Sequence, residues 1–526
     1  MRLRTLILRS LRFHWRGHLG VLLGATVGSA TLIGALVVGD SVRQSLRELA
    51  LQRLGDIEFA VAPHDRFFRD GLRFDLGRAL GHVDATVTAA ITLAATASRQ
   101  DGSARANRVQ LLSLGPGLDQ FLAWPPLTNF AADSVILNEA LAAQLKVRPG
   151  DPVVLRVQKP AALPPETPIS PRSESAVALR LRVHSILPAE ALGNFSLSPN
   201  QLPPLNAFVR ADTLQLHLGL EGRANVLLTS ALRKPLPPDK RSEYVEAIHR
   251  LYLRLRRKFF APRTDAANWA ALTEKATTRE ALSYLSAALR QTWQLGDAEL
   301  ELRHLPEIRA LELRTPRVFL EPPVVTAAEA AGQTVANAQG ILTYLVNELR
   351  AGERATPYSM VTAMGAPVVP ADMKDEEILI NQWLAEDLQV GPGGEISLSY
   401  FLPDSASRLV EATKRFQVRA VLPMSGPSLD RALMPEFPGL AKAESTHDWD
   451  AAFPLVHKIR DQDEKYWKDY RGTPKAFVTL AAGKKMWANR FGELTAIRYP
   501  IPPNTNPADY LESVREKILR TFRPEE

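Results

Sequence analysis

The stretch "VILNEALAAQLKVRPGDPVVL", residues 135–155, returns without a gap as "ILINQWLAEDLQVGPGGEISL" at 378–398. The two share Asn138/Asn381, Leu141/Leu384, Ala142/Ala385, Leu145/Leu388, Val147/Val390, Pro149/Pro392, Gly150/Gly393 and Leu155/Leu398. An apolar run ending in Asn, then leucines at helical spacing, then Pro-Gly and a second apolar run reads as strand, capped short helix, turn, strand. Beyond a variable loop, "LRVHSILP" (181–188) matches "FQVRAVLP" (416–423), so each copy ends in a returning strand. The first loop, "KPAALPPETPISPRS" (159–173), is rich in proline and is expected to project as a stiff excursion. Residues that cap, turn and pack make a scaffold, not a catalytic pocket. The expected fold is a mixed α/β and α+β external part with an internally repeated β-α-turn-β module. Its two copies fall in 56–230 and 353–526, as two related modules or as a duplicated half within one.

Between the copies, residues 231–352 read as a mainly helical insert. Ser242–Phe260 carries Val245, Ile248, Leu251, Leu255 and Phe259 on one side, Thr278–Leu295 is a second amphipathic helix, and "ILTYLVNELRAG" (341–352) is a third, stopped by Gly352. Arg254, Arg256, Arg257 and Lys258 read as a solvated helix face. In "DEKYWKDYRGTPKAFVTL" (463–480) the spacing predicts a helix whose Tyr466, Trp467 and Tyr470 close the core under a turn, with a partner-gripping surface as the other reading. The tail "LTAIRYP" (494–500) is a strand. Asn506 then caps a helix with Pro507 at its first position and Leu511, Val514, Ile518 and Phe522 on its buried face.

Upstream of the repeats the chain changes character. Leu19–Gly39 is 21 residues without a charge, which at ~1.5 Å per residue spans about 31 Å, the thickness of a bilayer's hydrocarbon core. A cleaved leader is the alternative, but such cores run ~7–15 residues and end at a small-x-small site, which Val37-Val38-Gly39 provides poorly. Of the formal charge of +7, Arg2, Arg4, Arg9, Arg12 and Arg16 supply +5 before the span, leaving +2 over all the rest. That distribution argues against a nucleic-acid face and for a basic cytoplasmic arm, residues 1–18, with the bulk of the chain outside. Arg9, Arg12, Trp15 and Arg16 form a membrane-surface arm against lipid, with Leu3, Ile7, Leu11 and Trp15 recurring every four residues. Gly20, Gly24 and Gly28, continued by Ala35 and Gly39, make a small-residue face for close helix packing. After the 19–39 span, residues 40–55 read as an amphipathic stalk: Asp40 at its start, Val42, Leu46, Leu49 and Leu54 opposite Arg43, Arg47, Glu48 and Arg53, and Gly55 as its stop. "ATVTAAITLAATAS" (85–98) is too short to span and alternates like a strand.

The chemistry that the sequence excludes is broad. It has no cysteine, hence no disulfide, thiolate nucleophile or cysteine-held metal. "AAGKKMW" (481–487) lacks the first glycine and final hydroxyl of a phosphate-binding loop, so the chain is not its own P-loop ATPase. The ten histidines are dispersed without metal spacing, and neither "HDWD" (447–450) nor "DQDE" (461–464) has the rest of a calcium loop. No catalytic residue, cofactor or metal ligand is assigned.

Taken in order, the basic arm, the glycine-rich span, "VVGDSVRQSLRELALQRLG" (37–55), "LNEALAAQLKVRPGD" (137–151) and "DEKYWKDYRGTPKAF" (463–477) resemble the permease subunits of ABC transporters of the FtsX/MacB/LolC type. The resemblance implies a non-catalytic subunit of a bacterial inner membrane with a large periplasmic domain, working with a separate cytoplasmic ATPase. It also implies further permease spans or a second permease subunit, none of which lies in these 526 residues, so the likeness is to the front part of such a permease. Substrates handled by the family are lipoproteins, peptides or drugs. The competing expectation is a periplasmic binding or scaffold protein anchored by a single span.

Overall fold

The computed structural model describes residues 9–522 apart from 64, 82–84, 116–117, 119–120, 122–130, 161–175, 199–201, 233–265, 336–337, 404–408, 438, 442 and 451–454. A 40-residue helix, α1 (Trp15–Leu54), leads into the external part. There the chain runs β1 (Ile57–Val61), β2 (Phe68–Arg69), α2 (Leu72–Ala79), β3 (Val87–Ala90), β4 (Thr92–Arg99), β5 (Arg105–Leu114), β6 (Ser134–Asn138), α3 (Glu139–Leu145), β7 (Pro152–Gln158), β8 (Ala176–Leu187), β9 (Leu205–Arg210), α4 (Ala211–Leu218), β10 (Arg223–Ala224), β11 (Val226–Ser230) and α5 (Ala266–Thr292). It continues through β12 (Glu301–Leu305), β13 (Ala310–Arg314), α6 (Pro322–Val335), β14 (Gln339–Ala351), β15 (Arg354–Met364), β16 (Glu377–Asn381), α7 (Gln382–Leu388), β17 (Glu395–Pro403), β18 (Leu409–Leu422), α8 (Asp461–Tyr470), β19 (Ala476–Thr479), α9 (Leu480–Trp487), β20 (Ala496–Pro500) and α10 (Pro507–Thr521).

Two barrels organise these strands. In the first module the strands close in the order β4-β5-β9-β6-β8-β7 around Leu111, Val135, Leu137, Leu155, Val183 and Val209. In the second, a β14–β17 pairing closes six strands of a nine-stranded sheet, β14-β15-β19-β16-β18-β17, around Val346, Ile378, Ile380, Leu398, Val418 and Val478. Within each barrel, closure pairs every strand on both sides. A smaller antiparallel layer stands beside each barrel, β1-β11-β3 in the first and β13-β20-β14 in the second. Helices α2 and α5 are buried against each other through Leu72, Leu76, Leu80, Leu285, Ala288 and Leu289, and α6 and α10 likewise share a core through Val324, Ala328, Val514 and Ile518.

The stretches 135–155 and 378–398 fold alike at the level of single bonds. Asn138 Oδ1 accepts from Leu141 N at 3.1 Å and Asn381 Oδ1 from Leu384 N at 2.8 Å, each the cap of its helix. Both helices end left-handed, at Lys146 (φ 55°) and Gln389 (φ 50°). Gly150 N and Gly393 N, at φ 94° and 85°, donate to Val183 O and Val418 O at 2.7 Å, turning each chain back into its barrel. The parallel pairing of β6 with β8 is shifted by a bulge between Val135 and Ile136; that of β16 with β18 is shifted between Ile378 and Leu379.

The helical insert expected over 231–352 is corrected. Within the described residues its first part is α5, which covers most of the helix expected at Thr278–Leu295. From β12 onward, however, the chain already belongs to the second module, which starts well before 353. The helix expected at 341–352 is the central strand β14. Nine consecutive residues, Ile341–Leu349, are buried. A strand covered on both faces reads as an unbroken apolar run, indistinguishable by period from a buried helix turn. Strand pairing on both sides and β-branched Ile, Thr and Val decide it. The helix expected at Ser242–Phe260, its basic cluster and most of the proline-rich loop lie outside the described residues. In α8, Tyr466 and Trp467 are buried and Tyr470 half-buried, and the cap and first-position proline of α10 stand as expected, with Ala508 N donating to Asn506 at 2.9 Å.

One position separates the modules chemically. Asn206 precedes "AFV" in β9 and Lys475 precedes "AFV" in β19. The Lys475 Nζ is buried over the Trp383 and Tyr466 rings, at 4.3 and 4.7 Å, and 3.7 Å from Asp463. Burial pulls its pKa down to about 8, against the nearby carboxylates Asp463 and Asp387.

Two outcomes follow. Asn138→Ala and Asn381→Ala each remove a cap and strand buried partners, and should cost about 2–4 kcal/mol in denaturant unfolding; a cost under ~0.5 kcal/mol would contradict the clasp. Because the folded state releases the Lys475 proton before the unfolded chain does, stability should rise as pH goes from about 8 to the ordinary lysine value of 10.5, by at most about 3–4 kcal/mol. Lys475→Met should flatten that rise.

Candidate membrane helix and its junction with the external domain

At ~1.5 Å per residue the 40 residues of α1 extend about 60 Å. Its most apolar 18-residue window has a mean hydropathy of 2.1 and is not buried by any other part of the chain. By length and composition it is the one helix, among the described residues, able to cross a bilayer. Inside this segment Thr26 Oγ1 donates to Leu22 O at 2.7 Å and Thr31 Oγ1 to Val27 O at 2.8 Å. Both hydroxyls are thus satisfied within the helix, as hydrocarbon surroundings require.

The arm residues Arg9 and Arg12 stand in a helical stretch, 9–13, that breaks at His14 (φ −99°, ψ 21°) before α1 begins. Trp15 is exposed, with the Arg16 guanidinium 5.6 Å from its ring centre. Gly20, Gly24, Gly28 and Gly39 have no described heavy atom within 4 Å of where a Cβ would stand, and Ala35 is exposed. At 3.6 residues per turn Gly20, Gly24, Gly28, Ala35 and Gly39 fall within about 100° of one another, on one side of the helix. Asp40 forms a surface pair with Arg43 at 3.8 Å.

The stalk departs from its expected two faces. Val42, Leu46 and Leu49 are exposed, at 53%, 37% and 45%, whereas Arg53, placed on the polar side by its spacing, is buried. The reason is geometric. The helix stands clear of the external part until its last turn, so only that turn meets protein, and whichever side faces inward there is covered.

The junction itself was not legible from periodicity. Leu54 packs on a cluster containing Ile57, Leu187, Leu192, Phe195 and Phe208. Gly55, at φ 56° and ψ −126°, has the conformation of the first central residue of a type II′ turn, which side chains disfavour. A Cβ there would stand 3.0 Å from Leu192 Cδ2. The loop carrying Leu192 is in turn clamped to the barrel: Asn206 Nδ2 donates to Gly193 O (2.9 Å) and Phe195 O (2.8 Å), while Asn206 N donates to Asn138 Oδ1 (3.1 Å). Asn138 Nδ2 completes the clamp by donating to Pro204 O at 2.7 Å and Asn194 Oδ1 at 3.1 Å. The helix end thereby touches the loop held by the cap of α3. Elsewhere, a cavity of about 20 Å³ lies beside Tyr358, Trp449, Trp467 and Lys475, room for a single water and too little for a substrate.

Gly55→Val combines a β-branched residue at positive φ with crowding of Leu192, and should cost about 2–4 kcal/mol. Hydrogen exchange over residues 50–60 should quicken in the variant, and unchanged protection there would refute a rigid joint.

No family profile matches this sequence, and no curated protein is similar to it at a significant level. Among solved structures, the chain is similar to the extracellular domain of the noncanonic ABC-type transporter YknZ from Gram-positive bacteria, at 11% identity and a TM-score of 0.20, over 34% of this chain and 84% of that one. It is also similar to the periplasmic region of MacB from Actinobacillus actinomycetemcomitans, at 12% identity and a TM-score of 0.22, over 39% of this chain and 86% of that one.

Proposed function

We propose that this chain is a membrane-anchored, non-catalytic permease subunit of an ABC transporter of the FtsX/MacB/LolC type, with its arm in the cytoplasm and its two modules in the periplasm. The observation that carries the reading is α1. A single unbroken helix holds the bilayer-length apolar segment and ends directly on the first module. Displacement of the membrane segment along its axis would reach the module without an intervening flexible linker. In this reading Gly20, Gly24, Gly28, Ala35 and Gly39 pack against further permease helices or a second permease subunit. The stalk, Asp40 to Leu54, conveys the movement driven by a cytoplasmic ATPase, and Arg9, Arg12, Trp15 and Arg16 seat the arm on lipid. The motifs shared in order with that family support the same assignment. Lipoprotein, peptide or drug export is the class of task such a subunit serves.

Affinity purification of the full chain from detergent-solubilised membranes should recover an ATPase carrying a phosphate-binding loop, together with other membrane subunits. Recovery of neither would favour a single-span anchored scaffold. Replacing Gly24 and Gly28 by Leu should lower that recovery at least tenfold, whereas Val27→Leu should not. An undiminished complex in the glycine variant would remove the packing role from that face.

A further inference from the structure

The likeness of the two modules extends far beyond the stretch in which the sequence displays it. In chain order β1, α2, β3 with β4, β5, β6, α3, β7, β8, β9, α4 and β11 are followed by β13, α6, β14, β15, β16, α7, β17, β18, β19, α9 and β20. Both barrels close with the same sequence of parallel and antiparallel pairings. Registers agree as well: Ala207 stands opposite Leu111 and Leu137, and Ala476 opposite Val361 and Ile380. Even outside the barrels, Asn225 N donates to Ala90 O (3.1 Å) where Thr495 N donates to Ile341 O (2.8 Å). The side chains of the same two residues accept from Thr92 N (2.8 Å) and Thr343 N (3.0 Å).

Among the described residues, ion pairs join the modules between the β1–α2 loop of the first and the β13–α6 loop of the second. Arg66 and Arg317 are equivalent, each two residues before a buried phenylalanine, Phe68 and Phe319. Arg66 of the first loop pairs with Glu321 of the second, and Arg317 of the second pairs with Asp65 of the first at 2.8 Å. Beside them Arg69 reaches the fully buried carboxylate of Asp297 at 2.9 Å, in the segment linking the modules. Each loop's arginine is thus answered by a carboxylate of the other loop, at different positions: Glu321 follows Arg317 by four residues, and Asp65 directly precedes Arg66.

We propose that the external part is a fused pair: two copies of one module, joined at a charged seam built from the β1–α2 and β13–α6 loops. The partner that fits this face of the first module is therefore the second module of the same chain, and not another molecule. Part-exposed ion pairs each contribute little to stability, so they set orientation while the covalent tether supplies the high local concentration that holds the contact. This inference rests on topology and on the seam, and stands whether or not the ABC assignment does.

The absence of cysteine makes the test direct. In the full chain in detergent, Asp65→Cys with Arg317→Cys, and separately Arg66→Cys with Glu321→Cys, are treated with a short bismaleimide. Both pairs should link within one chain, giving a monomer-sized product whose linked peptides are identified by mass spectrometry, at a yield independent of protein concentration over a tenfold range. A dimer-sized product that grows with concentration, or no link in chains that circular dichroism shows folded, would overturn the fused pair. Adding Arg66→Glu to the first pair should slow linking at least threefold, and Glu321→Arg should restore it. An unchanged rate would remove the reciprocal charges from the seam.

Discussion

Two buried asparagines hold the architecture at its most demanding point. Where a strand hands over to a helix inside a closed barrel, the first helical N–H groups have no partner within the helix and no water nearby. Asn138 and Asn381, both fully buried, satisfy these donors and use the opposite end of the amide to hold the chain entering the neighbouring strand, at Pro204 and Pro474. A serine could cap the helix but not also reach the neighbouring strand, and an apolar side chain would fill neither role. The position of each helix, the turn after it and the returning strand all follow from that fixed corner.

Much of this was legible because it depends on local chemistry. Asn, leucines at helical spacing and Pro-Gly announce the cap, the short helix and the turn before any tertiary contact is considered, and Asn506-Pro507 does the same for α10. What stayed hidden depends on contacts distant in sequence. Strand β14 looks helical because both of its faces are buried, which erases the alternation by which strands are recognised. Arg53 looks solvent-facing because its burial is decided by where the stalk ends. The correspondence of α2 with α6, or of β1 with β13, leaves little trace in the residues, since apolar positions facing a helix layer can be refilled freely so long as volume is kept. At the junction, the long apolar helix could be read directly from its composition, whereas the Gly55–Leu192 contact could not.

The same corner of the module has been put to different uses. In the first module the segment after β8, residues 188–204, is short and receives the end of α1 through Leu192, so Asn206 is spent on clasping that loop by its carbonyls. In the second the segment after β18, residues 423–474, is longer and folds back as α8, covering the barrel with Trp449, Tyr466 and Trp467. Lys475, in the place of Asn206, then lies against aromatic rings and Asp463 instead of loop carbonyls.

A module whose open corner accepts the end of α1 can be displaced by that helix; one whose corner is closed by its own aromatic excursion cannot be reached the same way. In the proposed permease, movement of α1 is applied to one half of a pair whose other half is internally sealed. The difference between them must then be taken up where they join, at loops rich in part-exposed arginine and carboxylate groups. Such pairs tolerate sliding better than interlocked apolar side chains do, because a displaced ion pair is re-solvated at little cost whereas a displaced core leaves a cavity. The part-exposed Arg66–Glu321 and Arg317–Asp65 pairs therefore tolerate a small shift, whereas Arg69–Asp297, its carboxylate fully buried, fixes the linking segment.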